Sequence, residues 1–114
     1  MKNYQILLQF SNNHAENKLI VARAIRPFFE GMLRRRFPGS FEPKEWLGEF
    51  IIKIQDADTT SNLSPAKTFI KDIEDINEYS KKFHHDRNPN AGSENVSIGE
   101  LESYVKQTLE LIGK

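Results

Sequence analysis

The longest stretch of helical periodicity in the chain runs over residues 15–39. Its apolar residues recur at three- and four-residue steps, which places them on one side of a helix with about 3.6 residues per turn. They are Leu19, Ala22, Ile25, Phe29, Met32 and Leu33. A charged set follows the same spacing on another side, and it consists of Arg23, Arg26, Glu30 and Arg34. The pattern predicts a helix whose apolar face enters a core while a charged stripe stays available.

Pro27 lies inside this stretch, where a proline removes one backbone donor and clashes with the preceding turn. We therefore expect either a kink or two abutting helices, with Pro27 at the first position of the second. The start is predicted near His14 or Ala15, after the polar residues 11–13, which offer capping oxygens. Residues 37–39, Phe-Pro-Gly, are predicted to end the element.

The other predicted elements are shorter helices. Residues 4–10 are apolar but too short for periodicity to separate strand from helix, and their spacing favours a helix. A second clear helix is predicted to open at residues 42–45. A third opens at Ser64, with serine as its cap and a proline next to it, and ends near residues 84–87. The last helix begins after Ser97, in a capping-box pattern.

Apolar stripes identify the predicted buried side of the later helices. In the second helix the stripe consists of Trp46, Leu47, Phe50, Ile51 and Ile54. In the last helix it consists of Ile98, Leu101, Tyr104, Val105, Thr108 and Ile112. Helices joined by such short polar loops usually pack antiparallel. The predicted fold is all-α: one domain over residues 1–114, built as a compact bundle of four to five helices.

Composition changes this picture little. The 114 residues are 38% hydrophobic and 28% charged, which is ordinary for a soluble globular domain. The chain has no cysteine, which excludes disulfides and thiolate metal sites. No apolar run approaches the roughly 20 residues of a membrane span, and the N-terminus is a poor signal peptide. We therefore expect a cytoplasmic protein with no membrane partner.

The zero net charge hides an asymmetry between the two parts of the chain. Residues 1–41 hold seven basic and two acidic side chains, whereas residues 42–114 hold nine basic and fourteen acidic ones. The simplest interpretation is that the two parts face each other or the solvent. The alternative is a basic surface that binds phosphate or an acidic partner.

Candidate chemistry centres on Arg26, Glu30 and the adjacent histidines His84 and His85. Metal-independent RNA cleavage needs a base, an acid and a cation that stabilises the phosphorane, and these residues supply those types. The simpler interpretation is an i, i+4 ion pair and a polar helix end. Two adjacent histidines lack the i, i+4 spacing of a helical zinc site, so no metal site is predicted.

A second group of candidates could bind phosphate or nucleic acid. It consists of Arg23, Arg34, Arg35 and Arg36. On a helix the last three fan over about 200°, so they cannot all meet one ligand. Salt bridges to the acidic C-terminal part are the first interpretation for this basic cluster, and phosphate binding is the second.

Two segments resemble a known family. The long helix with its stop, IVARAIRPFFEGMLRRRFPG, and the later INEYSKKFHHDRNP are similar to segments near the C-terminus of large coiled-coil ABC-type ATPases. These include the anticodon nucleases of the PrrC and RloC kind and proteins of abortive phage defence. The preceding YQILLQF also fits, so the resemblance spans roughly residues 4–90.

The resemblance implies a HEPN-like helical domain excised from the C-terminus of a larger ATPase. ATP and Mg would then belong to an upstream ATPase domain, because this chain has no phosphate-binding loop of its own. In nuclease relatives an arginine, a glutamate four residues later and a distant histidine cut RNA such as tRNA. Arg26 and Glu30 match the first two by spacing. The family histidine aligns with Lys81, and His84 and His85 follow three and four positions later.

These observations lead to two functional hypotheses. The first is an accessory or effector domain that contacts the upstream ATPase domain and, in its enzymatic version, cuts RNA. The second is a non-catalytic helical module for protein interaction or dimerisation. RNA, another protein and a second copy of the chain are therefore all candidate partners.

Overall fold

Five α-helices and no strand make up the regular structure of residues 2–13, 17–84 and 95–112, which the computed structural model describes. The helices are α1 (Lys2–Asn13), α2 (Lys18–Arg36), α3 (Leu47–Asp56), α4 (Ile70–Ser80) and α5 (Ile98–Ile112). Two short 3-10 helices, Ser64–Phe69 and Lys81–Phe83, flank α4. The predicted all-α bundle is confirmed, and so is the helix over residues 4–10. No helix in the described part is long and apolar enough to span a membrane.

Helix α2 is the central element, because it packs against α1, α4 and α5. Its predicted apolar face is buried, apart from the half-buried Leu19. Val21, Ala24 and Phe28 on a second side are buried as well. Helix α1 covers that second side, where the Tyr4 ring stacks on Phe28 with 5.7 Å between centroids. The helix is thus enclosed on more sides than a single amphipathic stripe predicts.

Pro27 does not divide this helix. Helix α2 runs from Lys18 to Arg36 without a break, so the alternative of two abutting helices is wrong. Pro27 itself is exposed, while the residues on both sides of it, Arg26 and Phe28, are buried. Most helical stability in a folded protein comes from tertiary packing. Packing on the other sides of α2 therefore holds both halves in one element despite the lost backbone donor.

The helix also begins later than its sequence suggested. Asn17 is the N-cap, and its Oδ1 accepts hydrogen bonds from the backbone N–H groups of Leu19 (3.0 Å) and Ile20 (3.2 Å). Residues 11–13, the predicted cap, instead form the last turn of α1. The two predicted starting positions, 14 and 15, lie outside the described residues.

Helix α3 begins at Leu47 rather than at residues 42–45. The Arg34 NH2 group lies within hydrogen-bond distance of three backbone carbonyls of that segment, at 2.8 to 3.2 Å, and so ties the segment to α2 in a non-helical conformation. The Glu45 N–H closes a turn there by donating to the Glu42 carbonyl at 3.1 Å. Trp46 consequently precedes the helix, and it is half-buried instead of belonging to the buried stripe.

The remaining predicted starts are partly correct. Ser97 does cap α5, since its Oγ accepts from the Glu100 N–H at 3.4 Å. Ser64 is the first residue of a 3-10 helix and not the cap of an α-helix.

Ile98 and Ile112, predicted to face inward, are 40% and 42% exposed. They are the first and last residues of α5, where neighbouring helices cover less of its surface.

The centre of the bundle contains stacked aromatic rings. Tyr79 from α4 stacks on Tyr104 from α5 with 4.1 Å between centroids. The Phe83 ring meets the Tyr79 ring edge-on, with 5.3 Å between centroids. Burial raises the pKa of Tyr79 to about 12, because the phenolate would lose its hydration in this site. The ring pair joins α4 to α5 and thereby fixes the segment that leads to His84.

Gly39 is the one glycine in the described part with a positive φ, 80°. We expect Gly39→Ala to lower the free energy of unfolding by about 1 kcal/mol, because a Cβ is strained in the left-handed region. Gly48→Ala is the matched control, since a Cβ at Gly48 in α3 meets open space. That control should raise the free energy of unfolding, by less than about 1 kcal/mol. Urea titration of both variants measures the difference, and equal effects would contradict it.

Candidate functional site

An open pocket of about 260 Å³ lies between one side of α2, the segment 43–46 and the end of the 3-10 helix that follows α4. Helix α2 contributes Arg26, Pro27, Glu30 and Arg34 to its lining. The segment 43–46 forms the other wall, and His84 completes the pocket. The structure thus brings together four of the residues that the sequence singled out, from parts of the chain more than fifty positions apart.

Arg26 is the most constrained of these residues. It is only 4% exposed, which corrects the expectation of a charged stripe that stays available. Its NH2 group donates to both oxygens of Asn77, the side-chain Oδ1 at 2.7 Å and the backbone carbonyl at 3.1 Å. Its NH1 atom lies 3.8 Å from Glu30 Oε2. The guanidinium is always charged, so these contacts hold a fixed positive charge at the pocket wall.

Glu30 serves two partners at once. Its Oε2 accepts a hydrogen bond of 2.7 Å from the Leu47 N–H, the first backbone donor of α3. A carboxylate at a helix N-terminus is stabilised by the unpaired N–H groups and the helix dipole. The predicted ion pair with Arg26 is present, but the contact with Leu47 is the shorter one. Glu30 therefore connects α2 to the start of α3 while it faces Arg26.

The segment 43–46 is fastened from two sides. Arg34 holds its backbone carbonyls from α2 and stacks over the Phe50 ring, with 4.9 Å from Cζ to the centroid. The Glu45 Oε1 accepts a 2.7 Å hydrogen bond from the Lys53 ammonium of α3. That bond is the main reason why the pKa of Glu45 lies below its ordinary value. The pocket wall is therefore built before any ligand arrives.

His84 ends the 3-10 helix in an extended conformation, and it is half-buried at the pocket. The Arg23 Nε donates to the carbonyl of Phe83 at 3.3 Å, which holds the backbone next to His84. Arg23 thus supports the pocket from behind and does not line it. His85, the other predicted histidine, lies outside the described residues.

The three consecutive arginines separate, as their fan on a helix predicted. Arg34 lines the pocket, whereas the Arg36 NH1 donates to the Leu111 carbonyl at 3.1 Å on the side of α5. Arg35 is exposed and does not line the pocket. Backbone carbonyls, and not the acidic side chains of the C-terminal part, accept the hydrogen bonds of Arg34 and Arg36.

Sequence reasoning did not assign Asn77, Lys44 or Trp46 to this site. For Asn77 a signal existed, because it follows the buried Ile73 by four positions and precedes the buried Ser80 by three. A polar side chain at that spacing lies on the buried side of α4 and needs a partner there. Lys44 and Trp46 carried no comparable signal, because they enter the pocket only after the segment departs from helical geometry.

The lining combines charge, an imidazole and an aromatic ring. Arg26, Arg34 and Lys44 supply positive charge that suits a phosphate, and His84 adds an imidazole, a side-chain type that often acts as an acid or base in catalysis. The carboxylates of Glu30 and Glu45 already accept hydrogen bonds from the protein. No group of three metal-binding side chains occurs within residues 2–13, 17–84 and 95–112.

Comparison with known proteins adds no relative from which a function could be transferred. No protein-family model, curated protein or solved structure matches the chain. The resemblance to the coiled-coil ATPases therefore stays a prediction, and the function is argued from the pocket.

We expect Glu30→Ala to lower the free energy of unfolding by about 2 kcal/mol, because it leaves a helix N–H and a buried cation without their carboxylate. Chemical denaturation measures the change. The matched control is Asp75→Ala on α4. Asp75 forms an i, i+4 pair with Lys71, and the Lys71 side chain is 85% exposed. That pair should contribute less than about 0.5 kcal/mol. Similar losses in both variants would mean that Glu30 is an ordinary surface residue.

Glu45 makes the pocket wall sensitive to acid. Its pKa is lowered from 4.5 in the folded protein, so its carboxylate contributes stability above that value. The contribution is lost as the pH falls through the folded-state pKa. We expect Glu45→Gln to have a lower Tm than wild type at neutral pH, and the gap to close in acid. Glu110→Gln, an exposed change near the end of α5, is the control. A gap that persists in acid would contradict the assignment.

Proposed function

We propose that the chain is an effector domain whose pocket binds RNA and cleaves it without a metal ion. The observation that carries the proposal is the shared pocket of Arg26, Glu30 and His84. The sequence offered these three residue types for phosphodiester cleavage, and they lie on two separately positioned pieces of backbone, α2 and the end of the 3-10 helix that follows α4. A buried, fixed guanidinium beside a histidine in an open pocket suits a reaction in which charge develops on a phosphate.

Each residue has a distinct role in the proposed reaction. His84 takes the proton of a ribose 2′-hydroxyl, whose oxygen then attacks the adjacent phosphorus. The bond from phosphorus to the 5′-oxygen breaks, and that oxygen takes a proton from solvent in the open pocket. The products are a 2′,3′-cyclic phosphate and a 5′-hydroxyl. Arg26 and Arg34 stabilise the negative charge of the phosphorane, while Glu30 positions Arg26.

A specific observation favours a second candidate, a non-catalytic interaction module. Arg26, Glu30 and Arg34 all have partners within the fold, and these contacts join α2 to α3 and α4. A set of residues that only braces the bundle would look the same in this respect. The two candidates differ in what they require of His84, because only the nuclease needs its imidazole for catalysis.

An upstream ATPase domain with bound ATP and Mg is the proposed partner in the effector role. The residues that support it are those of the resemblance, the segment around Arg26 and the segment around Tyr79. Such a domain would control when the pocket reaches its RNA.

The decisive experiment is tRNA cleavage in the presence of a metal chelator. We expect His84→Ala to lower kcat/KM at least about 100-fold, because general acid–base catalysis contributes that much. Arg26→Lys should also lose activity, since an ammonium cannot reproduce the guanidinium contacts with Asn77 and Glu30 that hold the charge at the pocket wall. Lys71→Ala, which removes an exposed charge on α4 away from the pocket, should cleave like wild type.

Circular dichroism of each variant separates lost activity from lost structure. Cleavage by folded His84→Ala at the wild-type rate would exclude His84 as the base. A folded wild-type chain that cuts no RNA under these conditions would favour the interaction module.

A further inference from the structure

We infer that the pocket takes one unpaired nucleotide, with its base stacked on Trp46 and its phosphate at Arg34 and Lys44. The inference rests on the proposed RNA-binding function and names the form of RNA that the site selects. It comes from two residues that the catalytic hypothesis does not use, Trp46 and Pro27.

The position of Trp46 is set by its backbone. Trp46 is the N-cap of α3 in an extended conformation, with φ −106° and ψ 165°. Its carbonyl accepts from the N–H groups of Glu49 and Phe50 at 2.9 and 3.0 Å, and Glu30 holds the next N–H, that of Leu47. The half-buried indole therefore lines the pocket from a fixed attachment point. A half-buried aromatic side chain with only two rotatable bonds loses little entropy when a base stacks on it.

Pro27 adds apolar surface from α2. It is exposed on the helix and lines the same pocket, next to the buried Arg26. The lining thus contains both apolar surface, from Trp46 and Pro27, and cationic groups, from Arg34 and Lys44, together with the carboxylates of Glu30 and Glu45. A nucleotide likewise combines a flat base with a charged phosphate, whereas inorganic phosphate has no base.

The size of the pocket limits how much RNA it can hold. A volume of about 260 Å³ is just below the roughly 300–1,000 Å³ of pockets that enclose drug-sized ligands. Such a space admits a single nucleotide but not a stacked base pair. A base can enter only after it has left the helical stack, so loops and single strands are favoured over duplex RNA.

Trp46 is the only tryptophan in the chain, so its fluorescence reports directly on the pocket. The probe is a short single-stranded RNA with 2′-O-methyl groups, which can bind but has no 2′-hydroxyl to react. We expect this probe to quench Trp46 fluorescence in a saturable way. The same strand annealed to its complement, and inorganic phosphate, should quench far less at equal concentration.

Variants test the stacking contact by the anisotropy of a labelled probe. We expect Trp46→Ala to weaken binding about tenfold to a hundredfold, as for other base–aromatic contacts. Trp46→Phe keeps an aromatic face and should bind within a few-fold of wild type. Trp46→Leu keeps apolar bulk without the ring and should resemble Trp46→Ala. Ile52→Ala, on the exposed side of α3, is the matched control and should bind like wild type.

The possible outcomes separate this inference from the proposed nuclease. Absence of quenching by saturating single-stranded probe, or wild-type affinity of a folded Trp46→Leu, would overturn the nucleotide pocket. Equal affinity for the single strand and the duplex would overturn its selectivity. Quenching by the probe without any cleavage of tRNA would remove the nuclease and leave the nucleotide pocket standing. If tRNA is cleaved and no Trp46 substitution affects the cleavage, the nuclease would stand and the nucleotide pocket would be overturned.

Discussion

A buried positive charge constrains the centre of this molecule. Arg26 is almost fully removed from water, and an unpaired cation there would cost several kcal/mol. Two Asn77 oxygens and the Glu30 carboxylate compensate for that loss. Because Asn77 belongs to α4 and Glu30 also holds the Leu47 N–H of α3, the environment of one guanidinium specifies how three helices meet.

The same contacts shape the pocket. Arg34 bonds the backbone carbonyls of Pro43 and Glu45, which ties the segment 43–46 to α2 as a wall ahead of the first turn of α3. The wall presents Trp46 and Lys44 to a space already lined by cationic side chains of α2. Stability and site chemistry are therefore coupled, and the residues that brace the bundle also supply the electrostatics of the pocket.

Several elements were predictable because their signals are local. The apolar periodicity of α2 and the Ser97 cap of α5 depend on residues a few positions apart, and both predictions hold. Predictions failed where a distant group competes with the local preference. The segment 42–45 has a good helical start, yet hydrogen bonds from Arg34 hold it in a non-helical conformation. Pro27 has a strong local tendency to break a helix, and packing on the other sides of α2 overrides it.

By itself the sequence determined the all-α class, the central helix and the residue types available for chemistry, because periodicity and composition are properties of neighbouring positions. Only the tertiary structure decided which of those residues meet. Arg26, Asn77 and His84 are separated by up to 58 positions, and their convergence depends on how α4 packs against α2. The burial of Arg26 and the entry of Trp46 into the pocket likewise follow from long-range hydrogen bonds, which no local pattern encodes.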